Sequence, residues 1–204
     1  GTSSFAGAIT LGATSTADVG GTQLTLSGII SGTGFGLTKT SSGILVLSNT
    51  NTYTGVTTIN AGTLSVGTIG NGGVAGNLGQ ATNTATNIVL GGGTLRYTGS
   101  TATSDRAFTI TTGTTGTFDS TTNTLTLAGA TGTTTSGALT KTNSGTLNLS
   151  GVNTYTGTTT ISAGTFAITG SGSLNSGSYA GAIVNNSAFI YSSSATQTLS
   201  GIIS

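Results

Sequence analysis

Apolar residues recur at every second position in short runs, most of which open on a glycine. Gly43-Ile44-Leu45-Val46-Leu47, Gly62-Thr63-Leu64-Ser65-Val66 and Gly93-Thr94-Leu95-Arg96-Tyr97 are three, and Gly145-Thr146-Leu147-Asn148-Leu149 and Gly164-Thr165-Phe166-Ala167-Ile168 are two more. Alternation over about five residues predicts a short strand with one buried face. The alternate positions are mostly Thr, Ser or Asn, so the outer face is polar without being charged. Branching at Cβ makes Thr well suited to extended backbone. Clusters such as Gly70-Asn71-Gly72-Gly73 and Ser171-Gly172-Ser173 separate the runs and supply the positive φ that corners require. No segment carries a helical period, so the chain reads as all-β.

Two periods are superimposed on this local pattern. Gly36-Leu37-Thr38-Lys39-Thr40 through Leu47 matches Gly137 through Leu149, and each is followed by Asn-Thr-Tyr-Thr-Gly, at Asn51–Gly55 and Asn153–Gly157. Thr57-Thr58-Ile59-Asn60-Ala61-Gly62 then matches Thr159-Thr160-Ile161-Ser162-Ala163-Gly164. These repeat-like units span about 22–67 and 123–170. A longer offset relates the two ends: 4–31 resembles 178–204, from Ser4-Phe5-Ala6-Gly7-Ala8-Ile9 against Ser178-Tyr179-Ala180-Gly181-Ala182-Ile183 onward. Offsets this long demand several coils per unit in one solenoid segment spanning 1–204.

Strands of this kind could pair as hairpins in a sandwich or stack as coils of a parallel β-helix. Hairpins call for Asn-Gly type turns, and Asn71-Gly72 is the single such pair. The expected fold is therefore a parallel β-helix of about nine coils with uncapped ends, stacked at roughly 4.8 Å into a rod on the order of 40 Å long. Leu147 is expected to point inward. The natural partner of such a rod is itself, through end-to-end stacking of coils or covalent continuation of the chain.

Composition narrows the functions open to this fold. Only 3% of the 204 residues are charged, the net charge is +1 and the mean hydropathy is +0.24. Disorder needs low hydropathy and high charge, and nucleic-acid binding needs a basic stripe; both are excluded. No apolar run reaches the roughly 18 residues of a membrane span, and the start has no signal-peptide pattern.

The run Gly-x-Leu-x-Leu-Ser-x-x-Asn-Thr-Tyr-Thr-Gly-x-Thr-Thr-Ile-x-Ala-Gly-Thr-Leu resembles the autotransporter-associated β-strand repeat of bacterial passenger regions. The best matches run from Leu37 to Val66 and from Leu139 to Ile168. The family often carries a second Gly after the Tyr-Thr-Gly motif, where Val56 and Thr158 stand here. The resemblance implies a right-handed parallel β-helix, secretion to the outer surface of a Gram-negative-type cell, and a structural or adhesive role without catalytic residues. Surface carbohydrate is the ligand class of the alternative adhesin reading, and a polysaccharide-active β-helix enzyme is the third class weighed.

Candidate chemistry is sparse. The chain has three acids, Asp18, Asp105 and Asp119, and neither Glu, His nor Cys. Paired-carboxylate or metal chemistry has little to work with, so no catalytic, cofactor-binding or metal residue is expected. Asp105, Arg106, Asp119 and Arg96 form the one concentration of charge, read as solvated or cross-coil ion pairs. Lys39 and Lys141, at equivalent repeat positions, are read as solvated outer-face residues that keep an edge from aggregating. Tyr53 and Tyr155 are expected to pack near corners, with Asn51 and Asn153 bonding across coils; an aromatic surface for carbohydrate is the alternative. Thr57-Thr58 and Thr158-Thr159-Thr160 lie a whole repeat apart, so no flat Thr array is expected.

Overall fold

The computed structural model describes residues 1–204 and places 25 short strands and two single 3-10 turns along the chain. Every pairing between strands is parallel, which rules out the hairpin sandwich. One sheet carries nine strands in the order Thr2–Phe5, Gln23–Leu26, Ile44–Leu47, Thr63–Val66, Thr94–Tyr97, Thr115–Ser120, Ala138–Thr142, Thr159–Ile161 and Ile183–Asn185. Two sheets of five strands and three of two complete the coils, giving a β-solenoid of about nine turns. No helix is long and apolar enough to cross a membrane.

Period-2 alternation explains why the coils close on a dry interior. Residues in register on neighbouring strands stack into inward columns. In the nine-stranded sheet one column runs Leu24, Leu45, Leu64, Leu95, Phe118, Lys141, Ile161. In a five-stranded sheet Leu125, Leu147, Phe166 and Phe189 stack likewise, with the last two rings 6.0 Å apart and nearly parallel. Leu147 is fully buried, as the alternation requires. Each such Leu contributes roughly 1.5–3 kcal/mol when removed from water. Its neighbours in the column belong to adjacent coils, so stability is passed from coil to coil.

Two departures from a uniform stack matter. Most steps along the nine-stranded sheet take 19 to 24 residues, but Thr63 pairs with Thr94, 31 residues on. The surplus of 7 to 12 residues lies within 67–87, where the chain makes a lateral protrusion that includes the 3-10 turn Ala85–Asn87 while Ile69 and Leu78 stay in the core. The six-residue strand Thr115–Ser120 is the second departure. Its last four residues pair with Thr94–Tyr97 while its first five pair with Thr115's onward neighbours, Ala138–Thr142. By hydrogen-bond continuity, the sequence-equivalent strands Leu37–Thr40 and Ala138–Thr142 therefore lie in different sheets.

Candidate functional site

The charged residues do not form one patch; the fold sorts them into three devices. The first is inside the rod. Lys39 and Lys141 are 1% and 0% exposed, which overturns the expectation of solvated outer-face residues. The physical reason is strand parity. Lys39 follows Leu37 by two positions and shares its inward face, stacking between Ala17 and Ile59. Lys141 stacks between Phe118 and Ile161. Each ammonium turns toward the corner that follows its own strand. Lys39 Nζ donates to the carbonyls of Thr40 (2.6 Å), Ser41 (2.7 Å) and, from the next coil, Ala61 (3.3 Å). Lys141 Nζ repeats the set at Thr142 (2.6 Å), Asn143 (2.8 Å) and Ala163 (3.4 Å).

Those carbonyls converge because the corner is tight. Ser41 and Asn143 both sit at φ 61°, in the left-handed region. Gly62 and Gly164 on the next coil take φ 62° and 69°, and a Cβ there would meet the Ser41 or Asn143 carbonyl at 2.4 or 2.3 Å. The lysine thus ties two successive corners together. Burial lowers the pKa of both ammoniums, that of Lys141 to about 8, with Asp18 and Asp119 opposing the shift at Lys39 and Lys141 respectively.

The second device is a cross-coil pair. Arg96 Nε donates to Asp119 Oδ2 at 2.6 Å, with the Arg96 side chain 32% exposed and Asp119 nearly covered. Asp119 Oδ1 accepts from Asn143 Nδ2 at 2.6 Å, so one carboxylate links three coils.

The third device holds the protrusion. Arg106 is fully buried and donates from Nε to the Gly70 carbonyl (2.9 Å) and from Nη2 to the carbonyls of Gly79 (2.9 Å) and Val74 (3.4 Å). Its burial lowers its pKa, opposed by Tyr53 and Asp105. Ser104 Oγ also donates to Gly70 O. Asp105 makes no ion pair with its neighbour. It accepts from Gly72 N–H at 2.7 Å and Asn83 Nδ2 at 3.3 Å, and its own N–H donates to Asn71 Oδ1 at 3.1 Å. The expected ion-pair reading therefore holds for Arg96 and Asp119 alone. Sequence reasoning missed the clamp because its acceptors are backbone carbonyls more than 25 residues away, which leave no side-chain signature.

The two repeated tyrosines are buried, as expected of corner packing. Tyr53 Oη and Tyr155 Oη hydrogen-bond to Thr57 Oγ1 (2.7 Å) and Thr159 Oγ1 (2.9 Å). Tyr155 also meets the ring of Tyr179 edge-on at 5.8 Å. Burial raises all three phenols, Tyr53 and Tyr179 to about 12. Asn51 accepts from Ile30 N–H (2.8 Å) and donates to Asn77 O (2.9 Å), and Asn153 donates to Ser173 O, so both bond across coils. None of these aromatics offers a surface for carbohydrate.

The outer face carries what the sequence did not show. Thr63, Thr94, Thr117, Thr140 and Thr160 stand in register on five successive strands. A second column contains Thr16, Thr38 and Thr58, and a third Thr124, Thr146 and Thr165. The ladders go beyond the Thr57 and Thr158 segments because several successive coils contribute a rung, yet no flat Thr array results, as expected. Arg96 and Asp119 interrupt the column beside the longest ladder, so it remains one residue wide. Corner hydroxyls behave differently and bond to carbonyls of the adjacent coil, as Thr121 does to Tyr97 and Ser144 to Thr121.

Residues 37–66 and 139–168 both match the passenger-associated-transport-repeat family. The chain carries two passenger-associated-transport repeats. They contain the paired lysines, corner glycines and tyrosines just described. The chain is also 45% identical over 148 residues to the adhesin BmaC autotransporter of Brucella suis biovar 1 (strain 1330). That match covers 70% of this chain and 4% of the relative, so the chain spans a small fraction of that protein's length. No solved structure matches the chain.

Proposed function

We propose that the chain is a segment of a secreted bacterial cell-surface passenger, an adhesive rod that carries contact surfaces away from the cell. The observation that carries this reading is the conjunction of two passenger-associated-transport repeats with an unbroken nine-strand parallel stack. Similarity to an autotransporter adhesin supports the adhesive half of it. A solenoid stabilised by nearest neighbours can be lengthened without redesign, which suits a molecule that must span distance. Its near-neutral, hydroxyl-rich exterior favours contact with uncharged polar partners over nucleic acid or anionic lipid.

A larger array is part of the same proposal. Phe5 pairs with Leu26 and Ile9 with Ile30, and the related segment repeats both pairings as Tyr179 with Leu199 and Ile183 with Ile203. The same coil geometry at both positions supports a rod built from periods of this kind. Catalysis is not part of the proposal: Asp105 and Asp119 are engaged in holding the protrusion and the Arg96 pair.

Display of the chain on a non-adherent bacterium tests the reading. Attachment to host cells or matrix above that of a displayed, sequence-scrambled control is expected. Attachment equal to the control would reduce the chain to a spacer. Glycan cleavage that disappears in Asp105→Asn and Asp119→Asn would replace the reading with an enzymatic one.

A further inference from the structure

The outer turn of the protrusion, Asn71-Gly72-Gly73-Val74, is closed by Val74 N–H donating to Asn71 O at 3.1 Å, with Gly73 at φ 79°. Asn71 is exposed. In any Asn-Gly pair the side-chain carboxamide carbon lies within reach of the next backbone nitrogen, and glycine adds no Cβ to obstruct the approach. Here one residue brackets both reacting atoms. The carboxylate of Asp105 accepts the N–H of Gly72, and the backbone N–H of Asp105 donates to Oδ1 of Asn71. The first is the position of a general base on the attacking nitrogen. The second is that of a donor to the oxygen on which charge develops. Ser104 and Arg106, both gripping Gly70 O, hold the turn against Asp105.

We propose that Asn71-Gly72 is a self-modification site, at which Asp105 promotes conversion of Asn71 through a succinimide to aspartate and isoaspartate. The Gly72 nitrogen bonds to Cγ of Asn71 as its proton passes to Asp105, and the carbonyl electron pair moves onto Oδ1. Collapse of this intermediate breaks the Cγ–Nδ2 bond, and the leaving nitrogen takes the proton from Asp105 and departs as ammonia. Solvent water then adds to either ring carbonyl carbon and opens the imide. One amide nitrogen leaves, one water is consumed, and no oxidant or reductant takes part. The product places a new carboxylate against Asp105, where like charges repel. The isoaspartate form also routes the main chain through the former side-chain carbon and lengthens the turn. Both changes weaken the hold of Asp105 on Gly72.

The test is a time course on the intact chain at neutral pH, read by mass spectrometry of the peptide containing Asn71 and by enzymatic methylation of isoaspartate. The comparison is the same chain unfolded in urea. Conversion in the folded chain is expected to run about tenfold faster, below the roughly hundredfold or more that positioned acid–base groups supply, because a carboxylate is a weak base. A folded rate equal to or below the unfolded one overturns the proposal, since the turn would then shield the pair. Asp105→Asn should bring the folded rate down to the unfolded rate, and a variant that stays fast removes Asp105 from the step. Asn83→Ala deletes the other side-chain partner of Asp105 and should leave the folded rate unchanged. If it slows conversion as much as Asp105→Asn does, the effect belongs to the order of the protrusion and the base assignment fails.

Discussion

Replacing Lys141 with Met tests the buried latch, because Met keeps the stem inside the column between Phe118 and Ile161 and deletes the ammonium. Two opposed contributions decide the outcome at neutral pH. A pKa of about 8 against an ordinary 10.5 means that holding the charge inside the rod costs about 3 kcal/mol, at roughly 1.36 kcal/mol per pH unit. That cost is the net one for the charged form, its short bonds to Thr142 O and Asn143 O included, so deleting the ammonium relieves it. Its removal also leaves the corner carbonyls without their donor, an opposing penalty of about 1–3 kcal/mol for each one that stays buried. The acceptors outweigh the desolvation relief. Lys141→Met is expected to destabilise the rod at pH 7 by about 1–3 kcal/mol, measured by urea unfolding followed by circular dichroism.

The pH dependence gives the same argument a second, sharper reading. Between pH 8 and 10.5 the unfolded lysine stays protonated while the folded one loses its proton. The unfolded state then binds more protons, so this group's contribution to stability rises with pH across that window. Buried tyrosines act in the opposite sense above about pH 10, because burial raises their folded pKa values, those of Tyr53 and Tyr179 to about 12. Their effect is common to both proteins and cancels in the difference. The wild type should therefore gain up to about 3 kcal/mol on Lys141→Met as pH rises from 8 to 10.5. A flat difference would mean that the ammonium is hydrated in the folded rod. A shrinking one would mean that its pKa is raised, and the burial argument would be wrong.

Other perturbations separate the remaining devices. Leu147→Asp should abolish folding, and Leu147→Ala should cost about 2–5 kcal/mol, both seen as lost cooperative unfolding or a lowered urea midpoint. Gly164→Ala should destabilise by more than about 1 kcal/mol, because φ is 69° and the new Cβ would run into the Asn143 and Gly145 carbonyls; an unchanged midpoint would refute the corner geometry. Arg106→Ala should speed hydrogen exchange at Gly73, Gly79 and Gln80 while the amides of Thr146–Leu149 stay protected. Arg96→Ala, at a pair a third exposed on one side, should change stability by no more than about 1 kcal/mol.

The lysines show most directly what the sequence carries and where reading it failed. Alternation alone places Lys39 on the face of Leu37 and Lys141 on that of Leu139, so their inward direction was written in parity. Residue type argued the other way, since lysine is seldom fully buried. Parity prevailed because the coil supplies what a buried ammonium requires: three converging carbonyls from two left-handed corners. The buried leucines, the parallel stack and the tyrosine corners were legible because each depends on local spacing or on the repeat. The Thr ladder and the Arg106 clamp were not, because each is assembled from residues 20 to 36 positions apart whose alignment depends on coil length. Coil length in turn depends on where the surplus within 67–87 leaves the stack, and a protrusion does not announce its exit in a Gly- and Asn-rich stretch that resembles every other corner. In a solenoid of this kind, direction is thus set by parity within five residues, whereas neighbourhood is set by a count over a whole turn. Only a feature that fixes the count, such as the recurring lysine with its two corners, makes neighbours readable across coils.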